Sequence, residues 1–171
     1  MNLFCDLMGQ EYAGLAWQFH VSPSSCGNPD FYDSYIRFSA VADMTDGNSV
    51  THVLIDRDEN KMAAYFALRV CSMCFTGTDG KQIGLPALEI AEIAIAGEYE
   101  RKGIGSFIIS SVIAIAKDIR ENAAGVKYIV ACADPAAIGF YKKQGFNVAG
   151  DVYELPRDGS NNNCIPAYLR F

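Results

Sequence analysis

A buried strand, a glycine-bearing turn and a long amphipathic helix follow one another in the second half of this chain. Pro86 to Ile95 (PALEIAEIAI) is apolar at most positions, which indicates a central strand covered on both faces. From Gly103 to Asn122, isoleucine and valine recur at helical spacing, which predicts a helix with one face in a core. Val126 to Ala133 then predicts a second buried strand. Together the three elements predict a right-handed crossover in an α/β domain.

The flanking segments predict the rest of a mixed α/β fold. The pattern is weakly helical from Leu3 to His20, and Ser22 to Asp30 is rich in turn residues. Asp134 and Gly145 are typical of the start and the end of a short helix. The other predicted elements are a helix (Phe31 to Ala42), a hairpin (Ser49 to Asp56 and Met62 to Met73), a loop (Thr76 to Gly84), the short helix (Pro135 to Gln144) and two closing strands (near Asn147 to Leu155 and Ile165 to Phe171). No repeat or linker marks a boundary, so we expect one domain over residues 1–171.

Charge and hydropathy exclude several classes of protein. The 171 residues include 20 acidic and 14 basic side chains, for a formal net charge of −6. A protein that binds nucleic acid by neutralising phosphates needs a basic surface, so we expect no nucleic-acid partner. No apolar run reaches the roughly 18 residues of a membrane span. Residues 1–20 lack the basic start and apolar centre of a signal peptide, so we expect a cytoplasmic protein.

Six cysteines and two histidines are the residues to consider for metal or redox chemistry. Cys71 and Cys74 form a C-x-x-C, but a structural zinc site needs four ligands. The chain has no second such pair, and its histidines are His20 and His52. A domain of this length does not need bridges to fold. We therefore expect reduced thiols and no bound metal.

The residues between the strand and the long helix predict an anion site. IAIAGEYERKGIGS, from Ile93 to Ser106, places two glycines where the helix opens. The opening turn of a helix has unpaired N–H groups and the positive end of the dipole. Gly103 and Gly105 let an anion approach those groups closely, and Arg101 and Lys102 add positive charge. The pattern therefore predicts a cradle for a pyrophosphate.

Two common nucleotide-binding motifs do not fit this segment. The dinucleotide motif G-x-G-x-x-G needs a third glycine where this chain has Ile108. The P-loop needs a lysine after its second glycine, and Ile104 occupies that position.

The segment resembles instead the acetyl-CoA-binding motif of the GNAT family of N-acetyltransferases, Q/R-x-x-G-x-G/A. Glu100 stands at its first position in place of Gln or Arg. DPAAIGFYKKQGF, from Asp134 to Phe146, is similar to the family's N-x-x-A-x-x-L/F-Y-x-x-x-G-F, with Asp134 in place of Asn. The resemblance implies a mixed, mostly antiparallel sheet of six or seven strands, splayed between its central strands and flanked by helices.

The resemblance also implies a co-substrate, acetyl-CoA, and roles for particular residues. Its pantetheine arm would lie beside the strand, and its pyrophosphate on the helix opening. Tyr141 would be the general acid for the CoA sulfur, since a phenol is protonated at neutral pH. The implied cofactor-binding residues are Ile93, Ala94, Ile95, Arg101, Lys102, Gly103, Ile104, Gly105 and Ser106, with Asp134, Ala137 and Phe140 from the second motif.

Two acids inside the central strand are candidates for the general base that deprotonates an amine. Glu89 and Glu92 are three residues apart, so a regular strand points them to opposite faces. A bulge, which the family often has, would remove that difference. Counting back from the glycines, Glu89 stands where some histone-type members carry their base, so we favour it slightly over Glu92.

We therefore expect an N-acetyltransferase whose acceptor is a small-molecule or peptide amine, attacked directly in a ternary complex; a homodimer would fit the family. CGNPDFYDSYI, AYFAL and LPALEIAEIAI also resemble the subgroup of toxin acetyltransferases that modify aminoacyl-tRNA. Those members tend to be basic and to carry a basic residue where this chain has Glu92. A further alternative is a module that binds acetyl-CoA without turnover.

Overall fold

The computed structural model describes residues 1–149 and 164–170, which form seven strands and five α-helices. The sheet has the strand order β1-β2-β3-β4-β5-β7-β6. Ladders β1–β2, β2–β3, β5–β7 and β6–β7 are antiparallel, and β4–β5 is parallel. This arrangement confirms the predicted mixed, mostly antiparallel fold. The strands are β1 (Leu3–Leu7), β2 (Val50–Asp56), β3 (Lys61–Thr76), β4 (Gln82–Ile95), β5 (Tyr128–Ala133), β6 (Asn147–Val148) and β7 (Ile165–Arg170), and the helices are α1 (Ala13–Gln18), α2 (Pro29–Ser34), α3 (Ala40–Thr45), α4 (Ile104–Asn122) and α5 (Ile138–Lys143).

The chain folds into two compact units, and the first comprises Met1–Arg69 and Ala91–Ile108. It contains the β1–β2–β3 meander and the helical segment from α2 to α3, which passes through one π-helical stretch at Tyr35–Ser39. Its core is aromatic: the fully buried Tyr65 ring lies 5.3 Å from the Phe19 ring and 5.7 Å from the Tyr35 ring. The Tyr65 hydroxyl donates a 2.8 Å hydrogen bond to the Tyr32 carbonyl, which satisfies its polar end.

The second unit comprises Val70–Ile90 and Ile109–Phe171. Here β4 pairs with β5 over four rungs, from Ala87 with Tyr128 to Ile90 with Ala131. All four β4 residues of this ladder, 87–90, are buried, as expected of a central strand. Ala87 belongs to a hydrophobic cluster made of Met73, Ala87, Tyr128, Val130 and Ala149.

Most predicted elements are present, with four corrections. The prediction of helix from Leu3 onward was wrong for residues 3–7, which form β1; a five-residue strand is too short to show a clear period. The predicted loop at Thr76 to Gly84 is shorter, because β3 ends at Thr76 and β4 begins at Gln82. Val126 and Lys127 precede β5 rather than begin it. The predicted strand at Asn147 to Leu155 ends at Val148, and its part from residue 150 onward lies outside the described residues.

The prediction of reduced thiols is confirmed for four of the six cysteines and was wrong for the other two. Cys5, Cys26, Cys71 and Cys74 are free thiols. Cys132 and Cys164 form a disulfide, so the prediction of reduced thiols was wrong for this pair. The antiparallel β5–β7 ladder brings two residues 32 apart in sequence to a Cα–Cα distance of 5.2 Å, which suits a disulfide.

The described residues contain neither a candidate membrane span nor a cluster of metal ligands. None of their helices has both the length and the hydropathy of a membrane span. Within the same ranges, no three His, Cys, Asp or Glu side chains gather as ligands for a metal ion.

The disulfide generates a prediction about stability. Cys132→Ser, compared with the oxidised wild type, lowers the free energy of unfolding by about 2–4 kcal/mol, because the cross-link restricts the unfolded chain. Cys5→Ser, at an exposed free thiol, is the control and changes stability by less than about 0.5 kcal/mol. Chemical denaturation measures both, and thiol titration of the denatured, air-oxidised protein counts four thiols. A count of six would contradict the pairing.

Candidate functional site

The backbone turns sharply between the end of β4 and the start of α4. After Ile95, the Ala96 N–H donates to the Ala63 carbonyl (2.9 Å), and one 3₁₀ turn follows at Gly97–Tyr99. Arg101 then has φ +58° and Gly103 φ +83°, both in the left-handed region. A non-glycine residue there costs free energy, so the conformation of Arg101 is held by its surroundings. We call residues 101–106 the anion notch.

The anion notch presents backbone amides at the open end of a 19-residue helix. The Gly103 carbonyl accepts a 3.1 Å hydrogen bond from the Phe107 N–H. The N–H groups of Ile104 and Gly105 precede that bond and therefore have no carbonyl one turn earlier in the helix. An added Cβ at Gly103 would meet nothing within 4 Å, so the space beside the backbone is open. Open space, amides and a helix dipole together suit a phosphate group.

Buried side chains hold the notch in place. Ile104 and Ile108 anchor the first turn of α4 in the core. Tyr99 is buried just before the notch, and its hydroxyl donates a 3.2 Å hydrogen bond to Asp56 Oδ2. Burial and this carboxylate raise the pKa of Tyr99 to about 12, so it stays a neutral donor at physiological pH. Lys102 is exposed and its Nζ lies 5.0 Å from the centroid of the Tyr99 ring, a cation–π contact.

The second motif forms the helix that the sequence predicts. The Asp134 side chain accepts a 2.8 Å hydrogen bond from the Ala136 N–H, so it is the predicted N-cap. A 3₁₀ turn at Pro135–Ala137 leads into α5, and Gly145 ends it with φ +88°. Tyr141 is only 3% exposed, and its ring contacts the rings of Phe140 and Phe146 at centroid distances of 5.4 and 5.2 Å. Edge-on aromatic packing fixes the orientation of the ring.

The two candidate bases lie in different environments on β4. Glu89 is 3% exposed and pairs in register with Val130 on β5. Glu92 is half-buried, and its negative charge acts on two tyrosines of the first unit. Burial raises the pKa of Tyr65 well above its usual value, and Glu92 adds to that shift. Burial likewise raises the pKa of Tyr35, with a smaller contribution from Glu92.

The predicted site residues fall into two groups. Glu92, Ile93, Ala94, Ile95 and the anion notch belong to the first unit. The second unit contains Glu89, Asp134, Ala137, Phe140 and Tyr141.

The first unit contains a polar network that no sequence motif predicts. Asp33, buried, accepts hydrogen bonds from the Val21 N–H (2.9 Å) and from Arg37 (3.1 Å), and its Oδ2 lies 2.9 Å from His20 Nδ1. The Ser25 hydroxyl donates to the Glu100 carboxylate. Ser25 and Glu100 are 75 residues apart, and no motif links Asp33 to its partners, so only the folded chain reveals these contacts.

Comparison with known proteins decides the family. The profile described as the acetyltransferase (GNAT) family matches residues 13–146. The chain belongs to the GNAT family of acetyltransferases. A 58-residue segment is also 38% identical to the uncharacterised N-acetyltransferase CgeE of Bacillus subtilis (strain 168), covering 34% of this chain and 21% of CgeE. The match thus spans about a fifth of the length of that relative.

Solved structures of toxins share the fold. A bacterial toxin superposes with a TM-score of 0.75 at 21% identity, covering 99% of this chain and 90% of that one. AtaT complexed with acetyl-methionyl-tRNAfMet gives a TM-score of 0.70 at 14% identity, covering 96% and 94%. AtaTR bound with AcCoA gives 0.67 at 18% identity, covering 96% and 92%. At these identities the likeness shows the fold of this GNAT protein.

The backbone of the notch generates a prediction with a matched control. Gly103→Ala and Gly47→Ala each place a Cβ on a residue with positive φ (+83° and +73°) and open space beside it. Each change costs about 1–2 kcal/mol of stability. Only Gly103→Ala also weakens the affinity for coenzyme A, because its methyl group would occupy space that the phosphate needs. The loss of one charged hydrogen bond would lower the affinity by about tenfold. Calorimetric titration measures the affinities; equal affinities in the two variants would contradict a phosphate role for the notch.

Proposed function

We propose that this GNAT protein transfers the acetyl group of acetyl-CoA to an amine by direct attack in a ternary complex. The observation that carries the proposal is the anion notch: left-handed backbone at Arg101 and Gly103, open space, and amides at the start of α4. These features fit a diphosphate, which needs several N–H donors and no opposing side chain. Known structures with this fold, AtaTR among them, bind AcCoA.

The end of β4 supports a place for the pantetheine arm. The last rung between β4 and β5 joins Ile90 to Ala131, and β4 continues for five more residues to Ile95. An extended ligand with amide groups can hydrogen-bond to a strand as a further strand would. We propose that Ile93, Ala94 and Ile95 bind the pantetheine in this way. The strand leads directly into the notch, so arm and diphosphate follow the order of the chain.

The chemistry needs an amine nucleophile and a good leaving group. The amine nitrogen attacks the thioester carbonyl, a C–N bond forms, and the C–S bond breaks. We propose that Tyr141 gives its phenolic proton to the departing sulfur, which releases coenzyme A as a thiol. Support comes from the second motif, in which Tyr141 occupies the tyrosine position of the family pattern. Cys132 is bonded to Cys164, so in the oxidised protein it offers no thiol for an acyl-enzyme.

The charge of the protein supports a cationic acceptor. A net charge of −6 attracts protonated amines such as those of a polyamine-like compound, an amino acid or a protein.

We propose that one acetyltransferase domain over residues 1–171 performs the reaction.

A second candidate acceptor is aminoacyl-tRNA. One observation favours it: the fold of AtaT in its complex with acetyl-methionyl-tRNAfMet covers 96% of this chain. The negative net charge opposes it, because tRNA is held by phosphate contacts to basic side chains. An assay that offers both amines and charged tRNA to the same enzyme distinguishes the two acceptors.

Tyr141→Phe tests the transfer step. The variant retains the ring packing and the affinity for coenzyme A, while kcat falls by about 10²–10⁴, the contribution of a general acid. Tyr168→Phe, on β7, is the control and leaves both unchanged. Release of the CoA thiol, measured with polyamine, peptide and aminoacyl-tRNA acceptors, is the readout. Full activity of Tyr141→Phe would refute its role, and wild type that binds acetyl-CoA but acetylates none of the acceptors would favour a binding module.

The general base generates a separate prediction. Glu89→Gln lowers kcat/KM by about 10²–10⁴ and removes the acidic limb of its pH profile, since the neutral amide accepts no proton. Glu92→Gln has the smaller effect if Glu89 is the base. Glu98→Gln, at an exposed residue paired with Lys61, is the control. The opposite ranking would assign the role to Glu92, and an unchanged pH profile in both variants would exclude both.

A further inference from the structure

Glu100 departs from the family pattern, and the structure gives it a contact of its own. It stands where the motif has Gln or Arg, directly before the left-handed residue Arg101. Its Oε1 accepts a hydrogen bond from the hydroxyl of Ser25, which is 75 residues earlier in the chain. Glu100 is partly buried, so this contact is shielded from solvent on one side.

The contact is one of several between two segments. We call residues 20–25 the anchor segment and residues 96–100 the strand exit. The Gly97 N–H donates a 3.0 Å hydrogen bond to the His20 carbonyl, and Val21 forms an antiparallel bridge with Ala96. The two segments also approach closely: a Cβ at Gly97 would lie 3.2 Å from the Cβ of Ser22. Backbone contacts therefore fix the start of the strand exit, and the Ser25–Glu100 bond fixes its end.

Hydrogen bonds from Asp33 and Arg37 restrain the start of the anchor segment. The buried Asp33 carboxylate binds the Val21 N–H through Oδ1 and both His20 and Arg37 through Oδ2. Arg37 in turn donates to the Phe19 carbonyl at 2.6 Å. The Ser25 N–H donates to the Ser22 carbonyl at 3.0 Å, which closes a turn around the hydroxyl. A segment restrained in this way can position another residue, because moving it would break several hydrogen bonds that are buried or partly buried.

We propose that Glu100 is a positioning residue for the anion notch, acting through Ser25 rather than through the ligand. The bond holds the residue that enters the notch, so that Arg101 adopts its left-handed conformation before a diphosphate arrives. Such preorganisation raises affinity by removing the cost of ordering the site. The inference deepens the proposed function and rests on it. A carboxylate near a diphosphate also repels it, so Glu100 both orders the notch and weakens its attraction for anions.

Single substitutions at Glu100 and Ser25, and the double variant, distinguish the ordering of the notch from the repulsion of the diphosphate. Glu100→Ala loses the acceptor and raises KM for acetyl-CoA by about five- to tenfold, with kcat at saturation little changed. Ser25→Ala raises KM by a similar factor, and the double variant by no more than either single change, since both remove the same bond. Glu100→Gln keeps an acceptor oxygen without the negative charge, so its KM returns to the wild-type value or below. Ser72→Ala, at an exposed serine on β3 outside both segments, is the control with unchanged KM.

Hydrogen exchange of the free protein tests the role of the Ser25–Glu100 bond without any ligand. Glu100→Ala and Ser25→Ala speed amide exchange in residues 20–25 and 96–101, while Glu100→Gln and Ser72→Ala do not. Additive effects of the Ala variants on KM, an unchanged KM in Glu100→Ala, or unchanged exchange would overturn the inference. Wild-type protein that does not bind coenzyme A would refute the proposed function, and the exchange experiment would still test whether Glu100 orders the notch.

Discussion

The left-handed backbone at Arg101 and Gly103 is the constraint on which the site depends. It leads the chain from the 3₁₀ turn after β4 into α4, and the space beside Gly103, directly before this long helix, is open. Glycine accepts this conformation without strain, whereas Arg101 needs external support. The buried residues on either side, Tyr99 before the notch and Ile104 after it, supply part of that support. The proposed phosphate site, made of backbone, therefore depends on buried side chains on either side of it.

Charge explains why backbone groups matter so much in this protein. A chain with net charge −6 attracts an anionic coenzyme poorly at long range. Amides and a helix dipole bind an anion at short range whatever the net charge, and Arg101 and Lys102 reinforce them locally. The same net charge is the reason for proposing a cationic acceptor rather than tRNA. In this proposal the coenzyme binds to a locally positive site, and the acceptor is attracted by the negative charge of the whole protein.

The sequence predicted the parts that depend on local patterns. The glycines before α4, the Asp134 cap and the hairpin of β2 and β3 are predicted from neighbouring residues, and the structure contains all of them. Features that depend on contacts between distant parts of the sequence were not predicted. β1 is recognisable only once β2 pairs with it, the Cys132–Cys164 disulfide depends on the β5–β7 register, and the contacts of Ser25 and Asp33 join segments that no motif links.

The most direct test of the account is amide hydrogen exchange at the notch, measured with coenzyme A and with pantetheine, which lacks the diphosphate. If the notch binds the diphosphate, coenzyme A slows exchange of the Ile104 and Gly105 amides and pantetheine leaves it unchanged. Coenzyme A that binds without protecting these two amides, or equal protection by both compounds, would contradict the account.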